Sequence, residues 1–223
     1  MTPQEIAKKI DHTFLKAEAS EADIRKLCAE AKEHGFFAVC VNTRFVSLCA
    51  EELKGSSVKI AAVVGFPLGA MDTQAKAFET SRAVQMGASE IDMVLQIGAL
   101  KEGRRDLVAD DIKAVVKAAG SAKVKVILET SLLNEAEKKL ACEISKEQGA
   151  AFVKTSTGFG GGGATVEDVK LMKSVVGNAC EVKASGGVRD LAAARAMIEA
   201  GATRLGTSSG VAIIQGLTVA GGY

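Results

Sequence analysis

The chain has 223 residues, 48% of them apolar and 25% charged, an ordinary globular composition that excludes disordered and fibrous architectures. Its 28 Lys and Arg against 27 Asp and Glu leave a net charge of +1, so no global field draws it to nucleic acid or an anionic membrane, and neither is expected as a partner. Five widely spaced Cys with no Cys-x-x-Cys pair argue against a disulfide framework and a zinc site, and neither a signal-peptide core nor a membrane span of ~20 apolar residues is present, so a soluble cytoplasmic protein without metal is expected.

In chain order, short β-branched runs alternate with longer helical patterns. The first run, IDHTFL (10–15), follows a short N-terminal helical stretch. Next, Ser20 and Asp23 form a capping-box pattern, Ile24, Leu27, Cys28 and Ala31 share one helix face, and Gly35 stops the helix. The runs FAVCV (37–41), KIAAVV (59–64), EIDMV (90–94), KVKVIL (123–128), AFVKT (151–155), EVKA (181–184) and TRLGT (203–207) complete a set of eight. Such alternation implies a parallel sheet with right-handed crossovers. No Ser-, Pro- or charge-rich linker interrupts it, so one domain over 1–223 is expected.

A repeat selects the closed form of that sheet. Gly35, Gly87, Gly149 and Gly201 end helices before the second, fourth, sixth and eighth runs, and five residues beyond each lie Cys40, Asp92, Lys154 and Gly206. Alternate strands of an eight-stranded barrel contribute the four side chains of one interior layer, and this register puts those four positions in one layer. The expected fold is a closed parallel (β/α)8 TIM barrel.

Strands covered on both faces normally read as unbroken Val, Ile and Leu. Here Asp92, Lys154 and Lys183 sit near the C-terminal ends of their runs, the end at which barrels of this type place their active sites. Lys125 reads as a solvated strand end or an outward residue covered by its own stem, and Asp11 with His12 as a buried hydrogen-bonded pair. A free lysine with pKa about 10.4 is neutral roughly once in 2,500 molecules at pH 7. A second ammonium about 4 Å away costs on the order of 4 kcal/mol at an effective dielectric of 20, about three pKa units, which makes one lysine a nucleophile. Two lysines with a carboxylate as proton shuttle therefore suit imine chemistry on a carbonyl substrate, with no cofactor, although spacing and charge alone do not choose between Lys154 and Lys183.

The loops after the seventh and eighth runs carry Ser185, Gly186, Gly187, Val188 and Arg189, then Gly206, Thr207, Ser208, Ser209 and Gly210, with Asp190 placed to cap the next helix. In this fold those loops usually hold phosphate on exposed backbone N–H groups. The run Gly158 to Gly163 fits the dinucleotide pattern only formally, because it follows the sixth strand; its glycines suit a mobile loop over the barrel mouth, with Gly158 at the phosphate. A sugar-phosphate isomerase or a non-catalytic phosphosugar-binding barrel would share these loops without pairing two lysines.

The stretches IDHTFLK, AVCVNTRF, GFPLGA, EIDMVLQIGALK, VKVILET, FVKTSTGF, VKASGGVRD and LGTSSGV with the terminal Tyr223 resemble the bacterial deoxyribose-phosphate aldolases, a class I Schiff-base family, over nearly the whole length. The resemblance implies a lyase that reversibly cleaves 2-deoxy-D-ribose 5-phosphate to glyceraldehyde 3-phosphate and acetaldehyde. It implies Lys154 as the imine lysine, Lys183 as its companion ammonium and Asp92 as acid and base. It also implies phosphate contacts at Gly158, Gly186, Gly187, Val188, Arg189, Gly206, Ser208 and Ser209, and a tail Tyr223 that aids proton transfer; a homo-oligomer, a dimer, is expected from the usual prior alone. Gln96 and Thr43 depart from the pattern, where Asn and Pro are expected. Lys16, Thr155, Ser156 and, as a core thiol at the pocket wall, Cys40 are further candidates for substrate contact.

Overall fold

The eight β-branched runs become strands because each meets its neighbour edge to edge while a glycine-terminated helix returns the chain to the same end. In the computed structural model, which describes residues 1–217, the strands are β1 (Ile10–Phe14), β2 (Ala38–Asn42), β3 (Lys59–Val64), β4 (Glu90–Val94), β5 (Lys123–Ile127), β6 (Phe152–Lys154), β7 (Glu181–Ser185) and β8 (Arg204–Thr207). Every neighbouring pair is parallel, and β8 pairs with β1, so the sheet closes into a barrel in sequence order. This is the (β/α)8 TIM barrel expected from the sequence.

The helices are α1 (Pro3–Ala7), α2 (Glu21–His34), α3 (Val46–Glu52), α4 (Thr73–Gln85), α5 (Ile97–Lys101), α6 (Arg105–Ala119), α7 (Glu135–Glu147), α8 (Val166–Val176), α9 (Leu191–Glu199) and α10 (Gly210–Ile214). Helix α2 starts at the Ser20 and Asp23 capping box and ends at Gly35 with φ 65°, a left-handed conformation that an L side chain resists. Outward strand residues such as Val39, Val41, Ile91 and Val153 are fully buried under the helices. That shell is the hydrophobic core, so the interior of the barrel is free to carry other chemistry.

Because strand residues alternate between faces, the pairing register sorts the inward side chains into layers. Glu90, Phe152 and Arg204 lie lowest with Ala38. Asp11, Lys125 and Lys183 come next with Ala61, and Cys40, Asp92, Lys154 and Gly206 form the layer above. This last layer is the one the glycine repeat predicted. The same alternation separates Asp11 from His12. Asp11 turns into the barrel, whereas the His12 Nε2 meets Glu30 of α2 at 2.7 Å, so the two are not the hydrogen-bonded pair expected from the sequence.

Candidate active site

Asp92, at the centre of β4, is fully buried and its carboxylate is shared by three lysines. Lys154 from β6 and Lys183 from β7 both donate to Oδ2 at 2.8 Å, and Lys125 from β5 donates to Oδ1 at 2.6 Å. Lys183 also donates to Asp11 at 2.5 Å, and Lys125 reaches Glu90 at 2.6 Å. Below them Arg204 bonds Asp11 and both oxygens of Glu90, with its guanidinium 3.5 Å from the Phe37 ring centroid. Lys125 therefore points into the barrel and is fully buried, contrary to the solvated or outward placement expected from its sequence. The alternation of Lys123 and Lys125 resembles a solvated face, but both point inward; only Lys123, at the open lower rim, reaches water.

The environment divides the lysines. Burial pushes Lys154 below the ordinary lysine value, the Asp92 carboxylate opposes this, and the Lys183 ammonium lowers it further. Burial thus leads the like-charge effect on which the sequence argument relied. For Lys183 burial acts the same way, but the Asp11 and Asp92 carboxylates outweigh it and hold the ammonium well above the usual range. Lys125 is likewise raised, against its burial, by Asp92, Asp11 and Glu90. Asp92 is held well below the carboxylate range, against its own burial, by Lys125, Lys154 and Lys183. The geometry therefore offers one amine biased toward neutrality beside a firmly ionised carboxylate, the pairing that nucleophilic attack on a carbonyl and subsequent proton transfer require. Burial and the Asp92 carboxylate push the Cys40 thiol up, which keeps it protonated.

The mouth above is framed by the glycine loops. Gly186 and Gly187 have φ of 77° and 79°, and Gly158 has φ of 89°, left-handed conformations that an L side chain resists. A Cβ on Gly206 would lie 2.3 Å from the Ser185 Oγ and 2.9 Å from the Lys183 Cε, so this position must stay bare for the lysine to occupy its place. Val188 is buried and its carbonyl accepts from Thr207, whereas Arg189 and Ser208 are exposed and Ser209 is half-buried. The hydroxyls of Ser156 and Ser185 are buried without a hydrogen-bond partner among the described residues. Thr155, by contrast, is spent on the Ser185 backbone. Lys16 is exposed on the surface beside Glu18, and Tyr223 lies outside the described residues.

Three glycines of the Gly158–Gly163 segment are closely packed. A Cβ would approach Glu129 within 2.6 Å at Gly160, Ser131 within 2.5 Å at Gly162 and the Gly186 carbonyl within 2.6 Å at Gly163. These three glycines permit close contact between the loops after β5, β6 and β7. Gln96 and Thr43 also have local partners: Gln96 donates to Thr73 and Asp111, and Thr43 to Val63 and Glu79. Three participants were missed in the sequence, namely Lys125, Glu90 and Arg204. The last two stand two residues before Asp92 and Gly206, so the same repeat read two layers lower would have found them.

The sequence model for DeoC/LacD family aldolases matches residues 6–216. A deoxyribose-phosphate aldolase of Bdellovibrio bacteriovorus is 68% identical over 98% of this chain and 100% of its own length. One of Geobacillus is 58% identical over 98% of each. The tetrameric deoxyribose phosphate aldolase structure from Aeropyrum pernix superposes with a TM-score of 0.89 at 34% identity, covering 96% of this chain and 91% of that one.

Proposed function

The chain belongs to the DeoC/LacD family of aldolases and is a lyase, and we propose that it cleaves 2-deoxy-D-ribose 5-phosphate reversibly through an imine on Lys154. The single observation that carries the residue assignment is the shared carboxylate. Lys154 and Lys183 meet the same Asp92 oxygen, yet only Lys154 is biased toward the neutral amine.

The chemistry follows from these groups. The Lys154 amine adds to the C1 aldehyde of the open-chain sugar, and proton transfers through Asp92 and Lys183 carry the carbinolamine to the iminium. That cation withdraws electrons, so when the C3 hydroxyl gives up its proton the C2–C3 bond breaks and glyceraldehyde 3-phosphate departs. The two carbons left on Lys154 form an enamine, which takes a proton at carbon and is hydrolysed to acetaldehyde and free lysine. Asp92, ionised at rest, acts as the acceptor before it acts as the donor. Lys183, held protonated, acts as companion ammonium and proton donor.

The phosphate end is assigned to Gly158, Gly186, Gly187, Val188, Arg189, Gly206, Ser208 and Ser209, with Val188 and Arg189 acting through backbone N–H groups. Tyr223 keeps a proposed part in protonating the enamine; unchanged solvent-deuterium exchange into acetaldehyde by Tyr223→Phe would remove it. The five unpaired thiols suit the reducing cytoplasm, and the tetrameric relative supports a homo-oligomer, for which a dimer is the simplest closed form. Among the described residues no helix is long and apolar enough to cross a membrane.

The test is release of acetaldehyde and glyceraldehyde 3-phosphate from 2-deoxy-D-ribose 5-phosphate by purified protein. Turnover that requires the 5-phosphate supports the reading. Isomerisation without carbon–carbon cleavage, or binding without reaction, would replace it with one of the two alternatives that share the phosphate loops.

A further inference from the structure

The interior of the barrel holds more charge than one proton shuttle needs. Three carboxylates (Asp11, Glu90 and Asp92) face three lysines (Lys125, Lys154 and Lys183) and Arg204, and all seven side chains are buried. They form one connected set, because Arg204 links Glu90 to Asp11, Lys125 links Glu90 to Asp92, and Lys183 links Asp11 to Asp92. With every lysine protonated this set carries one surplus positive charge. Loss of a single lysine proton makes it neutral, and a surplus charge in a low-dielectric interior is the costly state.

Contacts decide which lysine gives up its proton. Lys183 holds two carboxylates, at 2.5 and 2.8 Å, and Lys125 holds two at 2.6 Å with Asp11 at 3.6 Å. Among the described residues Lys154 holds only Asp92, on an oxygen it shares with Lys183. Among the described residues the other ionisable neighbour of Lys154 is the Cys40 thiol, which is kept protonated; the buried Glu129 carboxylate, beyond the end of β5, is tied to Thr157.

We propose that Lys125, braced by Glu90 and Arg204, is a positioning residue that pins the Oδ1 edge of Asp92 and supplies the ammonium that makes neutral Lys154 the balanced state of the interior. This deepens the aldolase reading: the imine lysine is selected by a charge count that includes a third lysine and a salt-bridged floor beneath the site, and not by Lys183 alone. Lys125 touches no substrate, since it lies a layer below Lys154.

The sign of two substitutions separates charge from structure. Removing a positive charge with Lys125→Met relieves Lys154 of its need to be neutral, so the acid limb of the pH–rate profile moves up by about one to two pH units. Removing a negative charge with Glu90→Gln does the reverse and moves the limb down. Lys125→Arg, which keeps the charge, leaves the limb in place even where the rate falls. Shifts of the same sign in the Met and Gln variants, or no shift in either, would overturn the proposal.

The unmodified protein gives an answer that does not depend on those variants folding. Lysine side-chain nitrogen NMR on 15N-labelled enzyme without substrate should show a neutral amine at Lys154 at pH 8, with Lys125 and Lys183 still ammonium. A charged Lys154 there, or a neutral Lys125, contradicts the charge count. That result is independent of turnover, so failure of the aldolase reading would leave this spectrum unchanged.

Discussion

Two buried lysines in this molecule look alike until their partners are compared. Lys76, on α4, is fully buried outside the barrel, donates to Asp111 of α6 at 2.7 Å and to the Val94 carbonyl at 2.9 Å, and burial pushes its pKa down while Asp111 opposes. Lys154 is equally buried, sits 2.8 Å from one aspartate and is lowered for the same leading reason. A depressed lysine pKa therefore does not mark the reactive residue. The differences are that Lys76 is the one cation on its carboxylate among the described residues and is sealed between helices, whereas Lys154 shares its carboxylate with two other ammoniums under the glycine loops of the mouth. Ion pairing serves as scaffold where charges balance one to one, and as chemistry where they do not.

The largest loss is expected at Lys154. Lys154→Ala should abolish turnover while leaving the melting transition close to that of the parent, checked by product release and calorimetry. Residual activity of more than a trace would move the nucleophile elsewhere. Asp92→Asn removes the shared carboxylate and should reduce kcat by about 10²–10⁴-fold, the usual span for a general acid–base group. The same variant sharpens the contrast, because an effect on stability alone would make Asp92 a counterpart of Asp111.

On the scaffold side, Lys76→Met leaves Asp111 buried without its cation and should cost about 3–5 kcal/mol in denaturant unfolding, while imine formation at Lys154 persists. Loss of imine formation at unchanged stability would erase the distinction between the two sites. The smallest effect belongs to Asp11, whose carboxyl is lowered from 3.8 to about 2, against its own burial, by Lys183, Lys125 and Arg204. A carboxyl that is more acidic when folded adds stability above its unfolded pKa and loses it as pH falls through the folded value. Between about pH 4 and pH 2 the parent should therefore lose roughly 2 kcal/mol that Asp11→Asn does not lose, as followed by acid unfolding.

The barrel was legible because its signals are local and repeated. Glycine-stopped helices and β-branched runs recur, and the spacing of Gly35, Gly87, Gly149 and Gly201 carries the register of the layer that holds Asp92 and Lys154. The charged site was legible only where charge interrupts an apolar strand near its C-terminal end, as at Asp92, Lys154 and Lys183. Lys125 was misread because an alternating Lys-Val-Lys pattern is the same for a solvated face and for an interior column that opens at its lower rim. Glu90 and Arg204 begin their strands, where a charge usually meets water, and only barrel closure turns both into the interior. The glycines after β6 record another limit: close approach between three loops is a tertiary fact, and no sequence spacing distinguishes it from freedom of motion.

Among several buried lysines, Lys154 is the one proposed to form the imine. Reduction with borohydride in the presence of acetaldehyde, followed by peptide mass mapping, tests it most directly. A single stable two-carbon adduct on Lys154, with Lys76, Lys125 and Lys183 unmodified, is the predicted result. An adduct on any of those three in its place, or on no lysine at all, would contradict it.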